Sequence, residues 1–191
     1  HMKKNKPHIA ILMISFFLCS CNGNTDIPIN DNTDYPVKRS DVSMWKEVNE
    51  ANPTSSNVFC ADPTAIEYEG RLYVYGTNDH QQYLNAEKNT YEKIKSLVCF
   101  STDDMVNWTY HGYIDVGKIA PWIDAAWAPS VCSRVENDGL THFYLYFSNS
   151  GNGVGVITAK NPLGPWTSPL SDSLINRKTL GAENVPNPFD P

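Results

Sequence analysis

Gly70-Arg-Leu-Tyr-Val-Tyr-Gly-Thr-Asn-Asp79 lines up residue for residue with Thr141-His-Phe-Tyr-Leu-Tyr-Phe-Ser-Asn-Ser150. Both stretches alternate aromatic and aliphatic residues and end in a polar turn, the pattern of a half-buried strand. The surroundings repeat as well. Asp62-Pro63 and Ala128-Pro129 stand upstream, each followed by a short strand-like run and a hairpin turn containing glycine. Downstream, each copy has one more strand-like run and then a Trp-Thr pair, Trp108-Thr109 and Trp166-Thr167. A third such element, Asp190-Pro191, puts the prolines at 63, 129 and 191, which are 66 and then 62 residues apart.

A near-constant interval holding three or four short strands predicts small antiparallel sheets repeated radially, as in a β-propeller. A β-sandwich also holds many short strands but is not expected to repeat one strand, turn and Trp-Thr order. Propellers close with typically four to eight blades. The expectation is therefore an all-β chain carrying the first two blades and the start of the third. The first interval is longer mainly through His80–Ser96, a polar stretch that reads as a loop insertion, partly helical.

Composition fits this reading. Hydrophobic residues make up 41% and charged residues 19% of 191, enough for one globular domain with a real core. Aromatics reach 12%, with ten Tyr and five Trp, which suits half-buried strands or a sugar-binding cleft. The formal net charge of −6 leaves no basic stripe, which argues against nucleic acid as a partner.

Residues 2–21 stand apart. Met2 is followed by Lys3, Lys4 and Lys6, an apolar run from Ile9 to Leu18, and then Leu18-Cys19-Ser20-Cys21. A cationic start, a short apolar run and small residues at its end describe an export signal too short for a stable membrane span. The ending resembles a bacterial lipobox, which makes Cys21 the expected lipid-attachment site and the cell envelope the expected location. An ordinary signal peptide that happens to contain cysteines is the alternative. His1 ahead of Met2 reads as a cloning remnant. Residues 22–52 are polar and rich in Asn, Asp and Pro, as a tether should be, with a short helix at Asp41–Glu50 capped by Ser40 as a weak feature. The folded part is expected over 53–191. Its three cysteines, Cys60, Cys99 and Cys132, permit at most one bridge. Cys60 and Cys99 lie in or beside apolar runs and read as free, buried thiols. No Cys/His spacing suggests a zinc site.

With the motifs in view, a resemblance becomes specific. Phe59-Cys-Ala-Asp62-Pro63-Thr64, the Gly70–Asn78 strand, Trp127-Ala128-Pro129-Ser130-Val131, Gly164-Pro165-Trp166 and Phe189-Asp190-Pro191 resemble glycoside hydrolase family 43, in order and with suitable spacing. The resemblance implies a five-bladed propeller that hydrolyses glycosidic bonds with inversion, using three acidic residues at the axial end of the ring. Asp62 is implied to be the general base that activates water. Asp190 is implied to be the carboxylate that tunes the acid's pKa and holds the sugar. The third, a Glu acting as general acid, is expected beyond Pro191, so these 191 residues alone are expected to be inactive and poorly soluble.

The chemistry explains those residue types. Inversion needs one carboxylate to take a proton from water and a carboxylic acid, roughly 6.5–9.5 Å away, to protonate the leaving oxygen. A second carboxylate near the acid keeps it protonated by like-charge repulsion. An Asp-Pro pair by itself is far more often a turn element. What moves Asp62 toward catalysis is its place at the start of a blade interval, which Asp190 repeats two intervals later. Ala128 holds the same place in the middle interval and brings no carboxylate.

Trp127 is assigned to the sugar site through the resemblance, whereas Trp122, Trp108 and Trp166 read as packing residues. Asn78, Asp79 and His80 follow the first repeated strand and are expected at the pocket mouth, with Asn78 as a substrate-binding candidate. His111 and His142 read as ordinary hydrogen-bonding residues. The resemblance implies arabinofuranosidase or β-xylosidase activity on plant-type polysaccharides, with galactan or galactofuranose activity also open. No organic cofactor is required. Some family members hold calcium near the axis, but this sequence shows no ligand set for it. The rival from another class is a non-catalytic sugar-binding or scaffold propeller, which a Glu about one blade beyond Pro191 would argue against. A related fructan-acting propeller family would show a Trp-x-x-Asp-Pro-Asn start, and Val58–Thr64 lacks both the Trp and the Asn.

Overall fold

The computed structural model describes residues 54, 55, 57–84, 91–188, 190 and 191. The export signal with Cys21, the 22–52 tether and the Asp41–Glu50 helix lie outside the described residues. Among the described residues, seven strands run in chain order: β1 (Ala61–Tyr68), β2 (Arg71–Thr77), β3 (Ser96–Thr102), β4 (Thr109–Asp115), β5 (Trp127–Val135), β6 (Thr141–Ser148) and β7 (Val154–Ala159). They form two antiparallel sheets, β1-β2-β3-β4 and β5-β6-β7. One turn of helix, α1 (Val116–Ile119), follows β4, capped where the Asp115 carboxylate accepts from the Lys118 N–H at 3.0 Å.

The repeated stretches are β2 and β6, the second strand of each sheet. Tyr68 pairs with Arg71 across a two-residue hairpin whose Glu69 and Gly70 have φ of 52° and 79°. That conformation matches the right-handed twist of the flanking strands, and glycine at its second position relieves the strain. The two Xaa-Pro elements are β-bulges of the same kind. In β1 the register shifts between Ala61 and Thr64, and in β5 it shifts between Trp127 and Ser130. Proline has no N–H to give to a ladder, so the strand steps around it.

The fourth strand is where the two units differ. In the first it is β4, which starts beside Trp108. In the second, Thr167 exchanges backbone hydrogen bonds with Thr158 at 2.9 Å, and Ile175 bridges Val154. Between those two points the chain leaves the sheet edge. Pro165 and Pro169 flank the Trp166–Ser168 contact, so the ladder cannot extend in either direction. The order of strands is repeated, but the second outer strand is reduced to two bridges.

β1 and β5 lie against each other without a shared ladder. Side chain-to-backbone bonds join the two sheets: the Val131 N–H of β5 donates to the Thr64 hydroxyl of β1 at 3.3 Å, and the Ala128 N–H of β5 donates to the Thr77 hydroxyl of β2 at 2.8 Å. Two sheets that meet through their first strands are arranged about a common axis, as propeller blades are. The interface is apolar: Tyr75, Leu97 and Cys99 of the first sheet share a core cluster with Phe143, Leu145 and Phe147 of the second. Tyr68 meets Phe143 edge to face at 4.9 Å, and Tyr75 meets Trp166 the same way at 6.0 Å while its hydroxyl donates to the Pro162 carbonyl at 2.6 Å. Each such side chain contributes roughly 1.5–3 kcal/mol by leaving water, so losing one aromatic here would open the blade interface. The described residues thus form two neighbouring antiparallel sheets arranged as blades of a partial propeller. The His80–Ser96 insertion carries 3₁₀ turns at Asp79–Leu84 and Tyr91–Lys93.

Candidate active site

Three residues share one unusual backbone state. Asp62, Ala128 and Asp190 have φ of 47°, 40° and 59°, and each precedes a proline. A non-glycine residue in the left-handed region is uncommon, and the proline ring restricts the residue before it further. Such conformations cost roughly 1–3 kcal/mol each and persist only where the surroundings impose them, often at functional sites. At Asp62 and Ala128 the bulge imposes them at the same point of the two sheets, and Asp190 takes the same state before Pro191. At Asp62 and Asp190 that state presents an exposed carboxylate, and at Ala128 a half-buried methyl group.

Ala128 reaches Thr77, the last residue of β2. Ahead of Asp190, Asn187 lies against Gly151 in the turn that follows β6. Arg177 holds this approach by donating to the Pro186 carbonyl and to Asn187. Ala128-Pro129 thus rests beside the end of β2, and Asn187, ahead of Asp190, beside the turn after β6.

Asp79 is half-buried, and its carboxyl is raised above the usual carboxylate range, first by burial and then by the Asp62 charge. The two acids therefore share one electrostatic neighbourhood. Burial and then the Asp79 charge push the Cys60 thiol up to about 11. Cys60, Cys99 and Cys132 are all free, with Cys132 exposed.

Asn78, expected at the pocket mouth, is only 1% exposed. Its amide donates to the Ser96 hydroxyl at 3.0 Å, and its carbonyl accepts from the Gln81 N–H at the same distance, so it braces the turn that carries Asp79. Asn149, its counterpart in the second repeat, is equally enclosed. The Asn149 Oδ1 accepts the N–H groups of Asp124 at 2.6 Å and Ala125 at 3.1 Å. The sequence reading missed this paired role, although the aligned Asn was the available signal.

Trp127 is half-buried at the start of β5. Its indole N–H donates to the Tyr91 carbonyl at 3.0 Å, and the two rings meet at 73° with centroids 6.3 Å apart. Trp122 packs beside Phe147 and donates to the Leu170 carbonyl at 2.9 Å. The His80 ring stacks on Phe59 at 6.0 Å. His111 meets the Ser101 hydroxyl at 2.6 Å, and His142 meets Asp138 at 3.0 Å. Trp108 and Trp166, the residues of the Trp-Thr pairs, both bury an indole N–H that has no partner among the described residues. No group of three His, Cys, Asp or Glu side chains that could hold a metal ion occurs among the described residues.

Residues 50–179 match the family model of glycosyl hydrolases family 43. The chain belongs to that family. As a family 43 chain it is similar to the arabinoxylan arabinofuranohydrolase of Bacillus subtilis strain 168, 39% identical over 162 residues that make up 78% of this chain and 31% of the relative. A Paenibacillus polymyxa arabinoxylan arabinofuranohydrolase is 37% identical over 153 residues, 74% of this chain and 24% of its own length. Among solved structures, a Bacillus subtilis family 43 arabinoxylan arabinofuranohydrolase in complex with cellotetraose superposes with a TM-score of 0.69 at 38% identity, covering 77% of this chain and 32% of that one. An α-L-arabinofuranosidase from Clostridium thermocellum gives 0.51 at 38% identity, over 65% of this chain and 39% of that one. The chain therefore spans about a quarter to a third of the length of these two arabinoxylan arabinofuranohydrolases. In this family 43 chain the left-handed Asp62-Pro63 lies inside the matched residues, and Asp190 lies beyond them.

Proposed function

We propose that this chain contributes the water-activating side of a glycoside hydrolase that removes arabinofuranosyl or xylosyl units from a plant-type polysaccharide by inversion. The observation that carries the reading is the shared geometry of Asp62 and Asp190, two exposed carboxylates held left-handed before proline at recurring Asp-Pro positions of the sequence. A group fixed by strained backbone needs no reorganisation when the reaction begins, which is the condition for a general base aimed at one water. Asp62 takes the proton of the attacking water, and Asp190 binds the sugar and raises the pKa of the general acid. That acid is a glutamic acid from another blade. Trp127 lines the sugar subsite, with Asn78 holding the turn beneath it.

The two arabinoxylan arabinofuranohydrolases at 39% and 37% identity favour arabinofuranose over xylose as the unit released. The mechanism runs without an organic cofactor, and no step passes through a metal ion. Attachment of a lipid at Cys21 places the enzyme at the cell envelope, facing a substrate that cannot enter the cell. A C21S variant that still partitions with membranes would contradict that placement.

The test of the reaction is product stereochemistry. The whole gene product that carries these residues is given an aryl α-L-arabinofuranoside, and the first-formed sugar is followed by proton NMR. Initial release of the β-anomer supports inversion. Initial α-anomer, or no release from any aryl pentoside, overturns the reading.

A further inference from the structure

Tyr91 sits on the inserted 3₁₀ turn with 63% of its surface exposed. A lone exposed aromatic is ordinary on a protein surface. This one is held by an unusual number of fixed points. Its carbonyl accepts both the Ile94 N–H and the Trp127 indole N–H, each at 3.0 Å. Ile94 is fully buried, and its own carbonyl takes the Ala126 N–H at 2.9 Å. The next residue, Lys95, gives its N–H to the Gln81 side chain at 2.8 Å.

The turn is thereby tied to the start of β5, the strand whose next residue, Ala128, is bonded to Thr77. Thr77 in turn pairs with Ala61, the neighbour of Asp62. The edge-to-face contact with Trp127 leaves the Tyr91 ring standing at 73° to the indole, so the two rings make a corner at the start of β5.

We propose that Tyr91 and Trp127 form a stacking corner in which Tyr91 receives a main-chain sugar of the polysaccharide, outside the unit that is released. A pyranose ring with equatorial substituents turns a flat layer of C–H bonds outward, and their weakly positive hydrogens suit the electron-rich face of a phenol. An exposed, rigid ring supplies that contact with little loss of side-chain freedom on binding. The corner makes the site selective for a polymer over a small glycoside, because an aryl pentoside has no sugar to place there. This inference rests on the function proposed above.

The experiment compares kcat/KM on soluble arabinoxylan with kcat/KM on an aryl α-L-arabinofuranoside, for the whole gene product and its Y91A and Y91F variants. In Y91A the ratio of the polymer value to the aryl value falls roughly five- to tenfold, while Y91F, which keeps the ring, holds the parent ratio. An unchanged ratio in Y91A overturns the role of Tyr91 and leaves the hydrolase reading standing. An equal fall in Y91F also overturns it, since the hydroxyl rather than the ring face would then be the contact. A parent protein inactive on both substrates overturns the hydrolase reading, and this inference with it.

Discussion

The Ala128 backbone N–H donates to the Thr77 hydroxyl across 2.8 Å, and the bond crosses from one blade to the next. Ala128 is the bulged, left-handed residue of β5, so its N–H has no place in the β5–β6 ladder. Thr77 closes β2 and is almost fully enclosed. One hydroxyl thus satisfies a donor that the bulge displaced and fixes where the second blade starts relative to the first. Because Thr77 pairs with Ala61, the same residue fixes the approach to Asp62.

A T77V substitution keeps the shape of the side chain and removes the acceptor. Leaving the Ala128 N–H unpaired costs roughly 1–3 kcal/mol, whereas T77S, which keeps the hydroxyl, loses less. Urea unfolding of the three proteins measures this. A T77V protein as stable as its parent would show that the bond does not hold the blades.

Gly76 lies under the bulge of β1. A Cβ there would stand 2.3 Å from the Cys60 sulfur and 3.0 Å from the Ala61 carbonyl oxygen. G76A therefore pushes β1 away from β2 at the point that carries Asp62, at a cost of roughly 1–3 kcal/mol or more. Adding C60A removes the nearer clash and restores part of the loss, while the carbonyl contact remains. Thermal unfolding of G76A and of the double variant tests the ordering. Equal midpoints for parent and G76A would contradict the packing.

His111 supplies a pH dependence whose sign is fixed by its surroundings. Burial, and then the Arg71 charge, lower its imidazole from the ordinary 6.5 to about 4. The folded protein therefore keeps the ring neutral while the unfolded chain takes up a proton near pH 6.5. The folded state loses ground as pH falls from about 6.5 to about 4, and the effect is absent above that window. Urea midpoints measured across it should fall more steeply for the parent than for H111Q. Parallel curves would exclude His111 as the cause.

Much of this fold was legible because the repeat is written in residue types with narrow physical uses. Proline marked the bulges at 63 and 129, and Glu69-Gly70 marked the hairpin. The alternating aromatics marked β2 and β6. Other features follow from tertiary position and leave little local trace. Pro165 and Pro169 broke the second outer strand although Trp166-Thr167 kept its place in the repeat. Asn78 reads as a polar strand-end residue, and only the Ser96 hydroxyl explains its burial. The left-handed state of Ala128 depends on the bulge, since no propensity of Ala favours it, whereas Asp62 tolerates that state more readily. Tyr91 lies in a polar insertion with no periodicity, and its partner Trp127 is far away in sequence.

The most direct measurement of the central claim is kcat of the D62N variant of the whole gene product on an aryl α-L-arabinofuranoside. An amide at that position cannot accept a proton from water but keeps the size and the left-handed backbone. The account predicts a loss of roughly 10²–10⁴-fold in kcat. A D62N enzyme within tenfold of the parent rate would contradict it, because the group that activates water would then lie elsewhere.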